Sequence, residues 1–136
     1  MHEGTTKEEY ALRRKMWTDA LRSGEYAQGH GRLKWIEDGE TTHCCLGVAC
    51  EVFKESLNLV EKKINTECSF SGTMGVLLPY SLTMYLALRS LGGELDADDG
   101  LSNSLWKLND IQRLSFEEIA KVIDSNPPGL FEAGTY

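Results

Sequence analysis

With 136 residues, 41% of them apolar and 26% charged, the chain has the size and composition of one soluble domain with one core. No apolar run reaches the roughly 18–20 residues that cross a bilayer, and the polar start "MHEGTTKEEY" is no signal peptide. A cytoplasmic location is therefore expected, where thiols stay reduced and four cysteines imply no disulfides. The net charge of −7 is uneven: residues 1–35 carry seven Lys/Arg against five Asp/Glu (+2), and residues 36–136 carry seven against sixteen (−9). That balance excludes nonspecific binding to phosphate backbones and suits either a solvated exterior or a basic partner surface.

In chain order, the first element is "TTKEEYALRRKMWTDALRSG". Thr6 and Glu9 fit a capping box, and Tyr10, Trp17, Ala20 and Leu21 recur near helical spacing. Gly24 suits a left-handed stop, so a helix is predicted over 7–22. "RLKWIE" alternates like a half-buried strand, "DG" at 38–39 reads as a hairpin turn, and "TTHCC" returns as the second strand. Leu46, Ala49, Cys50 and Phe53 then form the stripe of an amphipathic helix, predicted over about 46–56. Gly47 weakens its first turn by about 1 kcal/mol relative to alanine.

"LVEKKINTECSFSGTMGVLLP" reads as two strands or an extended loop, with Val60, Ile64 and Cys68 on the buried side. Pro79 opens a helix predicted over about 80–91, with Leu82, Tyr85, Leu86 and Leu88 inward and "LGG" as its stop. "ELDADDGLSN" is an acidic loop and "SLWKLND" a short helical turn. Ser115 and Glu118 form a second capping box for a helix ending near Asp124, and "SNPPG" stops it. The order predicts an α+β fold: a small antiparallel sheet packed against about four to five helices, with residues 1–136 as one domain.

The cysteines of "THCCLGVACEVF" carry three readings. Zinc draws on C-x₂₋₄-C pairs, but Cys44 and Cys45 are adjacent and point to opposite sides of a strand, while Cys45 to Cys50 is a long gap. As a nucleophile, Cys44 or Cys45 would sit at a helix N-terminus, where the dipole lowers a thiol pKa. The preferred reading is that Cys45 and Cys50 are small buried residues beside Gly47 and Ala49. No metal and no cofactor is expected. "DADDGLSN" fails as an EF-hand loop, because counting from Asp96 the required Gly and Glu positions are Leu101 and Lys107.

"EYAQGHGRLKW" packs Tyr26, Gln28, His30, Arg32 and Trp35 around two glycines. Aromatic faces with Arg and amide donors suit a small anionic, nucleotide-like ligand. Asn109 and Asp110 of "LNDIQRLSFEE" join this candidate ligand set, their simpler role being turn formation. Glu94, Asp96, Asp98 and Asp99 form an acidic stretch suited to a protein partner.

Trp17, Ala20 to Gly24, Tyr26, Gln28 to Gly31, Cys44 to Cys50, Leu108 to Asp110 and Ser115 to Ala120 together carry a pattern, W, A-L-R-S-G-x-Y, Q-G-x-G, C-C-L-G-V-x-C, L-N-D and S-F-x-x-I-A. Over roughly residues 16–124 the chain resembles a group of small proteins encoded by tailed bacteriophages and prophages. The resemblance implies a setting, a phage accessory protein in the bacterial cytoplasm, rather than a mechanism. The expected function is non-enzymatic. It counters host defence or redirects host machinery by binding, either occluding a host protein or sequestering a small nucleotide-like messenger. No direct nucleic acid and no membrane is expected as partner, and a homo-oligomer is left open. The alternatives are a small enzyme using a Cys/His or carboxylate site, and a structural phage component.

Overall fold

The computed structural model describes residues 4–73, 75–96 and 103–136. The Thr6 hydroxyl accepts from the Glu9 amide (3.1 Å) and opens α1, Lys7–Arg22, over the predicted range. Its apolar stripe buries Tyr10, Trp17 and Leu21, and the Trp17 indole donates to the Cys45 carbonyl (3.0 Å). Asp38 and Gly39 both take positive φ (52° and 78°), the geometry of a two-residue primed turn, and join β1 (Lys34–Glu37) to β2 (Glu40–His43). The register pairs Lys34 with His43 and Trp35 with Thr42. The returning strand stops at His43, because Cys44 caps α2 (Cys45–Phe53) by accepting the Gly47 amide at 3.4 Å. This helix is buried nearly all round and is the centre of the core.

A second hairpin, β3 (Glu61–Ile64) and β4 (Glu67–Phe70), completes an antiparallel sheet of order β2-β1-β4-β3. Strand alternation puts Lys34, His43 and Cys68 on the face toward α2, and Trp35, Thr42 and Glu67 on the other face. The expected burial of Val60 and Ile64 is overturned. They are 67% and 42% exposed, and of that trio only Cys68 is inside. Ile64 pairs with Glu67, so it belongs to the outer face, and Val60 precedes the strand.

Pro79 caps α3, which runs only Tyr80–Tyr85 instead of to 91. Ala87 takes φ 58°, and the reversal lets Leu88 bridge Phe131, so Leu88 is buried without being helical. The acidic loop is closed by a short pair not expected from the sequence, β5 (Glu94–Leu95) with β6 (Asn103–Ser104). Ser104 then caps α4 (Leu105–Asp110), and Ser115 and Glu118 make the predicted capping box of α5 (Phe116–Asp124). α1 lies against α2 and α5, and α4 against the same two helices. Residues 130–136 dock on this bundle: the buried Arg14 guanidinium donates to the Thr135 carbonyl (2.6 Å) and lies 4.0 Å from the Tyr136 ring centroid. The fold is α+β, as the element order implied. Among the described residues no helix is long and apolar enough to cross a membrane.

Candidate functional site: the open face of the sheet

Trp35 stands on the sheet face turned away from α2, flanked by Thr42 on β2 and Glu67 on β4. Arg32 reaches the same face. Its guanidinium carbon is 5.3 Å from the Trp35 ring centroid, its Nε is 2.9 Å from Glu67 Oε1, and 44% of its side chain is exposed. His30, Arg32, Trp35 and Thr42 line a shallow hollow of about 250 Å³. On the other flank of Trp35, Glu37, Asp38, Glu40 and Thr42 line a second hollow of about 320 Å³, and the Trp35 indole donates to Glu37 (2.8 Å). The two hollows thus share Trp35 and Thr42, one lined by His30 and the paired Arg32 and the other by carboxylates. Gly29 lets its segment lie along β2, since a Cβ there would come within 2.5 Å of the Thr42 hydroxyl.

The rest of the predicted ligand set is elsewhere. Gln28 and Asn109 form an internal clamp. Asn109 Oδ1 accepts from the Gln28 amide (2.8 Å) and from the Cys45 backbone N–H (3.2 Å), while its Nδ2 donates to the Gly29 carbonyl (2.9 Å) and to Asp110 (2.8 Å). Gln28 also donates to the Leu114 carbonyl (2.8 Å). Asn109 is fully buried with both ends of its amide satisfied, which is an architectural role. The clamp joins the β2 edge, the start of α2 and the end of α4.

Tyr26 lies on the opposite side of the sheet from Trp35, edge-on to His43 at 5.3 Å. His43 belongs to a charged cluster between sheet and helix that sequence reading missed. Lys34 Nζ contacts Glu51 (3.3 Å) and Glu61 (3.0 Å), and Lys54 contacts the same two carboxylates (3.4 and 3.2 Å). At 3.6 Å the His43 Nε2–Glu51 contact is too long for a hydrogen bond, and neither ring nitrogen has a hydrogen-bond partner among the described residues. Burial alone would raise the Glu51 carboxyl, but the Lys34 and Lys54 ammonium groups beside it hold the pKa down at about 2. A carboxyl lowered on folding stabilises above its unfolded pKa and loses that contribution as pH falls toward the folded value. Glu51→Gln is therefore expected to flatten the stability profile between about pH 5 and pH 2. Urea titrations across that window check this, and an unchanged acid limb would count against the cluster.

All four cysteines are buried and free. Cys44 does sit at the N-terminus of α2, but desolvation defeats the helix dipole and pushes its thiol up to about 12. Burial likewise raises Cys45, Cys50 and Cys68. Among the described residues, no group of three or more His, Cys, Asp or Glu side chains is arranged to hold a metal ion. In native protein near pH 8, iodoacetamide is expected to label none of the four at the rate of a free thiol, and all four after unfolding in urea. A single fast-reacting cysteine in native protein would restore the nucleophile reading.

Of the acidic stretch, Glu94 is exposed on β5, and Asp96 stands 4.0 Å from Arg89 and against Gly129. Asp98 and Asp99 lie outside the described residues. Two residues of the open face were not anticipated. Thr42 was within reach of the sequence, because a two-residue turn at 38–39 forces Trp35 opposite position 42. Glu67 was not, because nothing local announces the β1–β4 pairing.

The sequence model of DUF8296, described as a domain of unknown function, matches residues 11–127. The chain belongs to that family. No curated protein and no solved structure matches it. The DUF8296 match takes in the open face, the Gln28–Asn109 clamp and the charged cluster, and it ends before the docked residues 130–136.

Proposed function

We propose that this DUF8296 protein is a non-enzymatic, phage-encoded accessory protein that acts in the bacterial cytoplasm by occluding a host protein. Its recognition surface is the open sheet face around Trp35. The observation that carries this reading is Trp35 itself, a large aromatic on a sheet face turned away from the helices and shared by two hollows, one lined by His30 and Arg32 and one by carboxylates. Aromatic and Arg side chains in such a setting anchor protein interfaces. Occlusion is favoured over sequestration of a small anion for two reasons. Arg32 already spends its charge on Glu67, and Tyr26, Gln28 and Asn109 are committed to other contacts. The buried, protonated thiols weigh against a cysteine enzyme.

The test is capture from bacterial lysate with the wild type, Trp35→Ala, and a Glu94→Lys/Asp96→Lys pair, with native mass spectrometry of each. Trp35→Ala is expected to lose the partner at least about tenfold at an unchanged melting temperature. Loss only in the Glu94/Asp96 pair would move the surface to the acidic loop. A retained small molecule with no protein partner would replace occlusion by sequestration.

A further inference from the structure

A cavity of about 490 Å³ lies between the start of α1 and α3, and it shares no residue with the open sheet face. Thr5, Arg13, Tyr80, Ser81, Met84 and Tyr85 line it. Among the described residues its walls are two aromatic rings and a thioether, with two aliphatic hydroxyls and one cation, Arg13. From this composition we infer that the groove binds a small planar aromatic molecule bearing one anionic group.

Arg13 supplies the anion contact. Its guanidinium carbon lies 3.7 Å from the Tyr85 ring centroid, which fixes the plane of the group, and NH1 donates to the Tyr85 carbonyl (2.9 Å). Among the described residues the carboxylate paired with it is Glu9, 3.7 Å from NH2 and about half-exposed. That pair is longer than the 2.9 Å Arg32–Glu67 contact, so a ligand anion would meet a guanidinium whose carboxylate partner is half-exposed and free to swing aside. Only 17% of the Arg13 side chain is exposed, so the charge sits where an anion would be partly desolvated and the contact strengthened. Tyr80 is 70% exposed, which leaves a ring available to stack on a flat ligand. The volume lies within the range that holds one small molecule. On a chain of net charge −7, an arginine in an aromatic groove is the local feature that would draw an anion.

Isothermal titration of the full chain tests this with four probes: adenosine 5′-monophosphate, 2-naphthoate, adenosine and inorganic phosphate. The two aromatic anions distinguish a phosphate-bearing from a carboxylate-bearing ligand, and saturable binding of either supports the inference. Adenosine and phosphate alone are expected to bind at least about tenfold more weakly, since each lacks one half of the contact. Tyr80→Ala should weaken binding at least about fivefold without lowering the melting temperature, and Arg13→Gln at least about tenfold. Should Arg13→Gln fail to fold, the probe series and Tyr80→Ala still decide. Trp35→Ala should leave this binding unchanged, which keeps the result separate from the sheet face. No binding of either aromatic anion up to about 5 mM, equal affinity for adenosine and its monophosphate, or indifference to Tyr80→Ala would overturn the inference.

Discussion

Gly47→Ala is expected to destabilise the protein by at least about 3 kcal/mol, although alanine is the better helix former. Helix propensity favours the substitution by about 1 kcal/mol. Packing opposes it far more strongly. A Cβ at Gly47 would stand 1.7 Å from the Leu33 carbonyl oxygen and 2.6 Å from its carbon. Those are backbone atoms and cannot swing aside. Leu33 is itself pinned, because its carbonyl accepts the Cys44 amide (3.2 Å) and its own amide donates to Gly75 (2.6 Å). Relief requires α2 to lift away from the chain entering β1, which would open the most deeply buried helix in the fold. Urea unfolding followed by far-UV circular dichroism measures the difference. A gain of about 1 kcal/mol would mean that propensity decides and that the close approach is wrong.

Asn109→Ala carries the second large effect, a loss of about 3–5 kcal/mol. The substitution removes four hydrogen bonds at a fully buried position and leaves the Cys45 N–H and the Gly29 carbonyl without their partner. Unpaired buried backbone groups cost about 1–3 kcal/mol each. Gln28→Ala should cost less, about 1–2 kcal/mol, because Asn109 would still hold Cys45 and Gly29. Hydrogen exchange supplies a readout tied to place: the Cys45 amide, which donates to Asn109, should exchange faster in Asn109→Ala than in Gln28→Ala. A cost for Asn109→Ala below about 1 kcal/mol would show that the clamp is dispensable. The clamp matters for the open face as well, since Gly29 leads directly into His30 and Arg32.

The phage setting is a proposal, and the DUF8296 match over residues 11–127 carries no statement of origin. That match supplies family membership, while the proposed chemistry comes from the side chains alone.

What the sequence by itself determined is what acts over a few residues. Thr6 and Ser115 start their helices where their hydroxyls meet the third amide onward, and Asp38–Gly39 turns β1 into β2. Those features located α1, α5 and the first hairpin, and they place Thr42 beside Trp35. The tertiary structure decided everything that depends on what stands opposite. Alternation made Ile64 a candidate for the inside, but whether a face is inside depends on which side of the sheet the helices occupy. Cys44 meets the sequence requirement for an activated thiol, yet the core around it sets the sign of its shift. Gly47 reads as a weak helix residue until Leu33 is seen against it. Gln28 and Asn109, 81 residues apart, look like ligand donors until each is found holding the other. Caps and turns are closed by their own neighbours and so are written locally. Burial, charge state and the partner of a buried amide are set by contacts between distant segments, which exist only once the core has formed.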